Sequence, residues 1–474
     1  MRQLTLLFLL AFSTGLSAQV TGDWYAILDA MGTKIPMQLE IRAAGDGYTG
    51  AVTDATANRR LELTTLTFDG RRLNYTVAPL GVTFNGVLDG KEIRGVYNEA
   101  QVDMPLTFTR HRPDGYPIGD GPITIRQREQ EPVDFPYARQ TVSFPGGADG
   151  VVLAGELTVP ESGKPKALIV LVSGSGPQDR NGYLGSQINH SPFLVLSDYL
   201  TRRGYGVLRY DDRGVAESTG DFARATTADF AADATAAVAY LRDLPGMKKV
   251  PIGVAGHSEG GLVAPMVARA DEDLDFVLLL AAPAIPIDSL MLEQRRQVAT
   301  AMGMPAMMIK RDEPALRAAY AFIKESTLLD QEQYVEGLYA VFAEQIKNLP
   351  EALQKSIVDP RAFNAQYVKP LSAPWFRHFM AMDPTDNLRA LTIPVLAING
   401  TKDTQVPAML NLNAISQAMA ISGNKDATVL PLLELNHLFQ PADTGAPSEY
   451  GTIETTFDPT ALEVIGSWLD DRFR

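Results

Sequence analysis

Along the chain the spacing of apolar residues changes character once, near residue 140. From Gly22 to about Arg112 short runs alternate apolar with polar: Asp23–Leu28, Met37–Ile41, Tyr48–Val52, Leu61–Leu66, Arg72–Val77, Val82–Leu88, Glu92–Tyr97 and Pro105–Thr109. A period of two places one face of a strand inward and the other in water. The breaks carry Gly45-Asp46-Gly47, Asp69-Gly70 and Asp89-Gly90, which tolerate the positive φ of tight hairpins. Residues 21–112 are therefore expected to form an antiparallel meander of about eight strands, a small barrel or sandwich. No titratable cluster marks a site in it, and it reads as a structural or oligomerising accessory domain, with a ligand pocket as the alternative.

Prolines 113, 117, 122, 132 and 136 then disfavour helix, and residues 113–139 are read as an interdomain linker. Beyond it, in 140–474, continuous apolar runs alternate with helical spacing. Ala167–Val172, Gly206–Tyr210, Pro251–Ala255, Phe276–Ala282, Pro394–Asn399 and Ala427–Leu432 read as strands. Phe193–Arg203, Thr227–Leu244, Gly260–Ala270 and Ala461–Arg474 read as helices. Such alternation predicts an α/β domain, a parallel sheet covered by helices on both faces. Residues 287–385 show helical spacing alone and are expected to form a helical insertion in the position of a lid. Within it Met302, Met304, Met307 and Met308 are expected to pack the cap.

The first eighteen residues differ from both regions. Arg2 precedes a nearly all-apolar stretch from Leu4 to Phe12, and small or polar residues follow to Ala18. This is the pattern of a secretory signal peptide, and the stretch is shorter than the roughly twenty residues that cross a bilayer. A periplasmic or secreted location, without a stable membrane anchor, is the expectation.

Composition narrows the chemistry. Lys and Arg number 42 against 56 Asp and Glu, a net charge of −14 with no basic run, which disfavours nucleic acid as a partner. With no cysteine, thiolate nucleophiles and cysteine-bound metals are excluded, so a nucleophile must be oxygen or nitrogen. The five histidines do not fall into a metal-binding spacing, and neither a metal nor another cofactor is expected.

The sharpest local signal is Gly256-His257-Ser258-Glu259-Gly260-Gly261, between a predicted strand and a predicted helix. A G-x-S-x-G turn in that setting presents its serine on a strained bend where flanking Cβ atoms have no room. A serine needs a positioned base and an orienting acid, which follow it in chain order in this arrangement. His437, in Leu435-Asn436-His437, lies on a loop before the last helix, and Asp403 lies just after the strand Pro394–Asn399. These two are the candidates for base and acid; His378, inside the insertion, is the other histidine past Ser258. For the oxyanion, the main-chain N–H of Glu259 and that of Ser175, in Ser173-Gly174-Ser175-Gly176-Pro177, are the candidate donors, with Gly176 as the alternative to Ser175.

With these segments, together with Arg209-Tyr210-Asp211-Asp212-Arg213-Gly214 and Asn399-Gly400-Thr401-Lys402-Asp403, the sequence resembles the α/β-hydrolase superfamily over about Gln140 to Arg474. Within it the resemblance is to bacterial carboxylesterases labelled serine aminopeptidase-like. It implies an α/β-hydrolase fold with a helical cap, and an esterase for small or medium acyl esters. A small-molecule ester is the expected partner, and a homo-oligomer is compatible with the sequence. Asp212, Arg213 and Asp179 are expected to brace loops as ion pairs. Two other readings stay open: an aminopeptidase using the same three residues on an amide, and an inactive binding module.

Overall fold

A computed structural model describes residues 20–30, 33–45, 47–54, 59–77, 82–99, 102–113, 116, 128–183, 188–347, 349 and 351–474. The expected signal peptide, and residues 114, 115 and 117–127 of the expected linker, lie outside the described residues. The chain forms two compact units, one from the described residues of Met1–Gln127 and Leu184–Asn189, the other from Arg128–Tyr183 and His190–Arg474.

The first unit is a single antiparallel sheet of strands β1 (Gly22–Ala30), β2 (Thr33–Ala44), β3 (Gly47–Asp54), β4 (Arg59–Glu62), β5 (Thr65–Phe68), β6 (Arg72–Val77), β7 (Val82–Asp89), β8 (Glu92–Glu99) and β9 (Val102–Thr109). Their order is β4-β3-β2-β1-β9-β8-β7-β6-β5. The run Leu61–Leu66, which reads as one strand in the sequence, is divided between the two edges of the sheet. Leu63 N–H donates to the Gly50 carbonyl of β3 and Thr64 N–H to the Thr76 carbonyl of β6, so the chain crosses between the two edges of a curled sheet there. The result is a curled half-barrel and not two packed sheets. Its inward face is closed by aromatic rings: Tyr75 stacks on Phe84 with centroids 5.1 Å apart, and Phe84 meets Phe108 edge-on at 5.4 Å.

In the second unit strands β10 (Ala138–Pro145), β11 (Val152–Val159), β12 (Leu168–Val172), β13 (Gly206–Tyr210), β14 (Ile252–His257), β15 (Phe276–Leu280), β16 (Val395–Gly400) and β17 (Ala427–Leu432) form one sheet. Its order is β10-β11-β13-β12-β14-β15-β16-β17, with β11 antiparallel to both its neighbours, β10 and β13, and the pairs from β13 to β17 parallel. Strands β12, β13 and β15 are buried at every residue, as continuous apolar runs require when helices cover both faces. Helices α1 (Pro192–Arg202) and α12 (Pro459–Asp470) pack on one face, while α2 (Thr227–Asp243), α3 (Gly260–Ala270) and α11 (Ala408–Ser422) cover the other. This is the α/β-hydrolase fold that the sequence predicts. Two of its features lie in the stretch read as linker. Strand β10 already begins at Ala138, and Arg128 and Gln130 are fastened to the loop before α12, Arg128 through the Gly451 carbonyl at 2.7 Å and Gln130 through the Phe457 carbonyl at 2.7 Å.

Between β15 and β16 the chain leaves the sheet for α4 (Ile287–Ala301), α5 (Ala306–Glu325), α6 (Gln331–Ile346), α7 (Glu351–Ser356), α8 (Pro360–Leu371), α9 (Pro374–Ala381) and α10 (Pro384–Leu388). Asp330 caps α6 in a reciprocal box with Gln333, and Asp359 and Asp383 cap α8 and α10 ahead of a proline in the first turn. The insertion has its own core, in which Tyr334, Leu338, Phe376 and Phe379 pack with Leu262 of α3. The methionines are a correction to the sequence reading. Met302, Met304, Met307 and Met308 are 62, 42, 81 and 41% exposed, because Ala299 and Ile309 occupy the inward positions around that turn.

Candidate active site

Strands β12, β14, β16 and β17 run in parallel and end in register. Val172 pairs with Gly256, and Gly400 with Leu432. The loops that leave their carboxyl ends therefore emerge together, where open α/β sheets bind ligands. All five candidate residues lie on those loops.

Ser258 follows β14 with φ +54, a conformation that costs a side-chain-bearing residue about 1–3 kcal/mol. Three glycines make the turn feasible by their missing Cβ atoms. A Cβ on Gly256 would lie 1.8 Å from the Gly260 carbonyl oxygen, one on Gly260 would lie 2.3 Å from that of Val172, and one on Gly261 2.3 Å from Ala282 Cβ. Ser258 N–H donates to the Leu280 carbonyl at 2.8 Å, which fixes the bend to the neighbouring strand. The Ser258 side chain is half-buried and Glu259 begins α3.

Asp403 and His437 are brought together. His437 Nδ1 lies 2.7 Å from Asp403 Oδ2, and both side chains are buried. The other oxygen, Oδ1, accepts the main-chain N–H groups of Gln405 and Val406, each at 2.8 Å. Because an ionised carboxylate only accepts, Nδ1 carries the proton, and Nε2 is left with its lone pair. The two loops are tied by Lys402 N–H donating to the Leu435 carbonyl at 2.9 Å. The residue before Ser258, His257, is the one that contacts this pair. His257 Nε2 donates to the His437 carbonyl at 2.9 Å, and the two imidazole rings are 4.8 Å apart. Burial first, and the adjacent His437 second, push the His257 pKa down to about 3, so it stays neutral and serves as a support. In the sequence His257 was simply the residue beside the nucleophile. A role for it is visible only once β14 and the loop after β17 adjoin.

The remaining two candidates also meet, by their side chains. Ser175 Oγ donates to Glu259 Oε2 at 2.8 Å. Glu259 Oε1 accepts from Thr227 Oγ1 at 2.6 Å and from Trp375 Nε1, on cap helix α9, at 2.7 Å. Glu259 is 3% exposed, and burial raises its pKa against the pull of these three donors. With its hydroxyl committed to Glu259, Ser175 has its main-chain N–H left to offer a ligand. The loop is also held at both ends by Asp212, which accepts the Ser173 hydroxyl at 2.6 Å and the Gln178 N–H at 2.9 Å. Burial pushes the Asp212 carboxyl up to about 8.

The expected bracing ion pairs need correcting at Asp212. Arg213 does form them, with Asp233 at 2.6 Å and Asp229 at 3.0 Å. Asp212 braces through a hydroxyl and an amide, and Asp179 accepts the N–H groups of Asn181 and Tyr183 at 2.9 and 3.1 Å. Next to Asp212, Asp211 takes an arginine, Arg180, at 2.5 Å. His378 is half-buried on α9, and His190 is a core residue bonded to Thr456 Oγ1 at 2.7 Å. Among the described residues no group of histidine and carboxylate side chains is placed to hold a metal, and no helix is long and apolar enough to cross a membrane.

The family model for serine aminopeptidases, S33, matches residues 187–429. That span includes Ser258 and Asp403 and ends before His437. Esterase EstD of Thermotoga maritima is 27% identical over 255 residues, 54% of this chain and 50% of its own length, so the chain spans about half of that relative. An esterase of Pyrococcus furiosus is similar in structure, with a TM-score of 0.42 and 16% identity over 71% of this chain and 92% of that one. The esterase Est1E of Butyrivibrio proteoclasticus, solved with ferulic acid, has a TM-score of 0.38 and 16% identity over 70% of this chain and 96% of its own.

Proposed function

Since this chain belongs to the serine aminopeptidase, S33 family, we propose that it is a serine hydrolase cleaving carboxylic esters of short to medium acyl chain, with Ser258, His437 and Asp403 as its catalytic residues. The observation that carries the reading is the 2.7 Å bond from His437 Nδ1 to Asp403, with the His437 carbonyl held by His257, the residue that precedes a serine at positive φ.

In this reading Ser258 Oγ attacks the ester carbonyl carbon while His437 Nε2 takes its proton. Asp403 holds the imidazole in the required tautomer and stabilises the imidazolium that forms. The main-chain N–H groups of Glu259 and Ser175 receive the oxyanion, aided by the amino end of α3. Collapse of the tetrahedral intermediate breaks the bond to the alcohol oxygen, which takes the proton from His437. Water then repeats the sequence on the acyl-Ser258 ester, giving the carboxylic acid and free serine. No cofactor takes part.

An ester is favoured over an aminoacyl amide by the state of Glu259. An aminopeptidase needs a carboxylate clamp for the substrate ammonium group. The carboxylate beside the nucleophile already accepts from Ser175, Thr227 and Trp375. The test is turnover of p-nitrophenyl esters from acetate to decanoate beside an aminoacyl p-nitroanilide. Ester turnover at least about a hundredfold above anilide turnover is expected, and the reverse order would move the assignment to a peptidase.

Export is part of the proposal and rests on the pattern of residues 1–18. Mass determination of the protein recovered outside the cytoplasm should show the first seventeen or eighteen residues removed. A full-length chain confined to the cytoplasm would refute it.

A further inference from the structure

The Glu259 carboxylate joins three elements that are distant in sequence. One oxygen, Oε1, holds Thr227 at the start of α2 and Trp375 on cap helix α9, and the other, Oε2, holds Ser175 in the loop after β12. The partners are 32, 116 and 84 residues away along the chain. Among the described residues Glu259 has no arginine or lysine partner, unlike Asp211 and Asp233 nearby. Burying a carboxylate on neutral donors alone costs stability that an apolar residue of that size would not. That cost gains nothing for the core, but it does give three donors one rigid, planar acceptor.

We propose that the Glu259 side chain is a positioning residue that couples the seating of the cap to the oxyanion loop. The inference rests on the catalytic reading above. Glu259 contributes its own N–H beside Ser258, and its side chain fixes the loop that contributes the second, so one residue sets both donors. Its backbone cannot drift, because it is anchored between strained Ser258 and the first turn of α3. A displacement of Trp375 therefore tilts the carboxylate plane and is felt at Ser175. Seating the cap over substrate and aligning the oxyanion donors become one event, in which an empty or poorly filled cap leaves the second donor misaligned.

The test is a double-mutant cycle between Trp375→Phe, which keeps the ring against Phe379 but removes the N–H, and Ser175→Ala, which removes the hydroxyl but keeps the main-chain N–H. Each change is expected to lower kcat on p-nitrophenyl butyrate by about 3- to 10-fold while KM stays within about twofold. The double variant should lose clearly less than the product of the two single losses, because either change alone already breaks the link. Multiplicative losses, or losses confined to KM or to melting temperature, would overturn the coupling. Glu259→Gln, which keeps one acceptor oxygen, should retain more kcat than Glu259→Ala; equal kcat in the two folded variants would count against it. Covalent labelling of Ser258 by a fluorophosphonate in the unmodified enzyme separates the two levels. An unlabelled Ser258 defeats the catalytic reading, whereas a labelled Ser258 with multiplicative losses defeats the coupling alone.

Discussion

His437 Nδ1 and Asp403 Oδ2 are 2.7 Å apart, and the other carboxylate oxygen is saturated by two main-chain N–H groups of the turn that follows it. The acid is thus fixed on one side by its own loop and presents a single oxygen to the imidazole. Asp403→Asn would offer an amide where Nδ1–H now finds an acceptor, and would favour the wrong tautomer. A fall in kcat on the order of 10³–10⁴, with KM little changed, is expected from steady-state ester hydrolysis. A fall of less than about tenfold would mean that another group orients the base.

The carbonyl of His437 is held by His257 Nε2 at 2.9 Å. His257→Leu leaves that oxygen without its donor in a buried setting, at a cost of about 1–3 kcal/mol. The base should also become less well placed. Urea denaturation is expected to show the loss of stability, and kcat to fall by about tenfold. His257→Gln, which can still donate, should recover part of both; no difference between the two variants would contradict the supporting role.

The elbow tolerates no added carbon. A Cβ on Gly261 would be 2.3 Å from Ala282 Cβ and 2.8 Å from its Cα, so helix α3 would have to move off the sheet. Gly261→Ala should destabilise the second unit by about 1–3 kcal/mol by denaturant titration and lower the rate of Ser258 labelling in the protein that still folds. Unchanged stability would show that α3 is free to shift.

His190 gives a pH dependence of defined sign. Burial, followed by the charge of Arg128, pushes its pKa down to about 4 from the ordinary 6.5. Between those values the unfolded chain binds a proton that the native state refuses. Stability therefore falls as pH drops from 6.5 to about 4, by up to about 1.4 kcal/mol per pH unit from this residue, and its contribution is unchanged above 6.5. His257, lowered to about 3, acts in the same direction over a slightly wider window. Melting temperatures from pH 8 to 4 should decline less steeply in His190→Gln than in the unmodified protein; parallel curves would contradict this.

Much of the second unit was legible because its signals are local. Gly256 to Gly261 declare a strand–turn–helix with an exposed serine, and chain order past Ser258 leaves few choices of histidine. The apolar runs at Ala167–Val172 and Phe276–Ala282 read as buried strands because burial on both faces removes polar alternation. What escaped depends on tertiary proximity. Nothing in the local sequence of Glu259 points to Thr227 or Trp375, and the support given by His257 arises from strand order. The burial of the Met302–Met308 stretch is not legible because apolar spacing does not reveal which side of a helical turn faces the core, and Ala299 and Ile309 occupy those positions. Likewise Leu61–Leu66 carries one alternating pattern, while the division into two edge strands follows from the curl of the whole sheet.

The proposed chemistry depends most on Ser258 Oγ being the atom that is acylated. Incubation with a fluorophosphonate, followed by intact-mass measurement and peptide mapping, tests this directly. A single adduct on the peptide carrying Ser258, absent in Ser258→Ala together with ester turnover, is the predicted result. An unmodified protein, an adduct on another residue, or turnover that survives Ser258→Ala would contradict it.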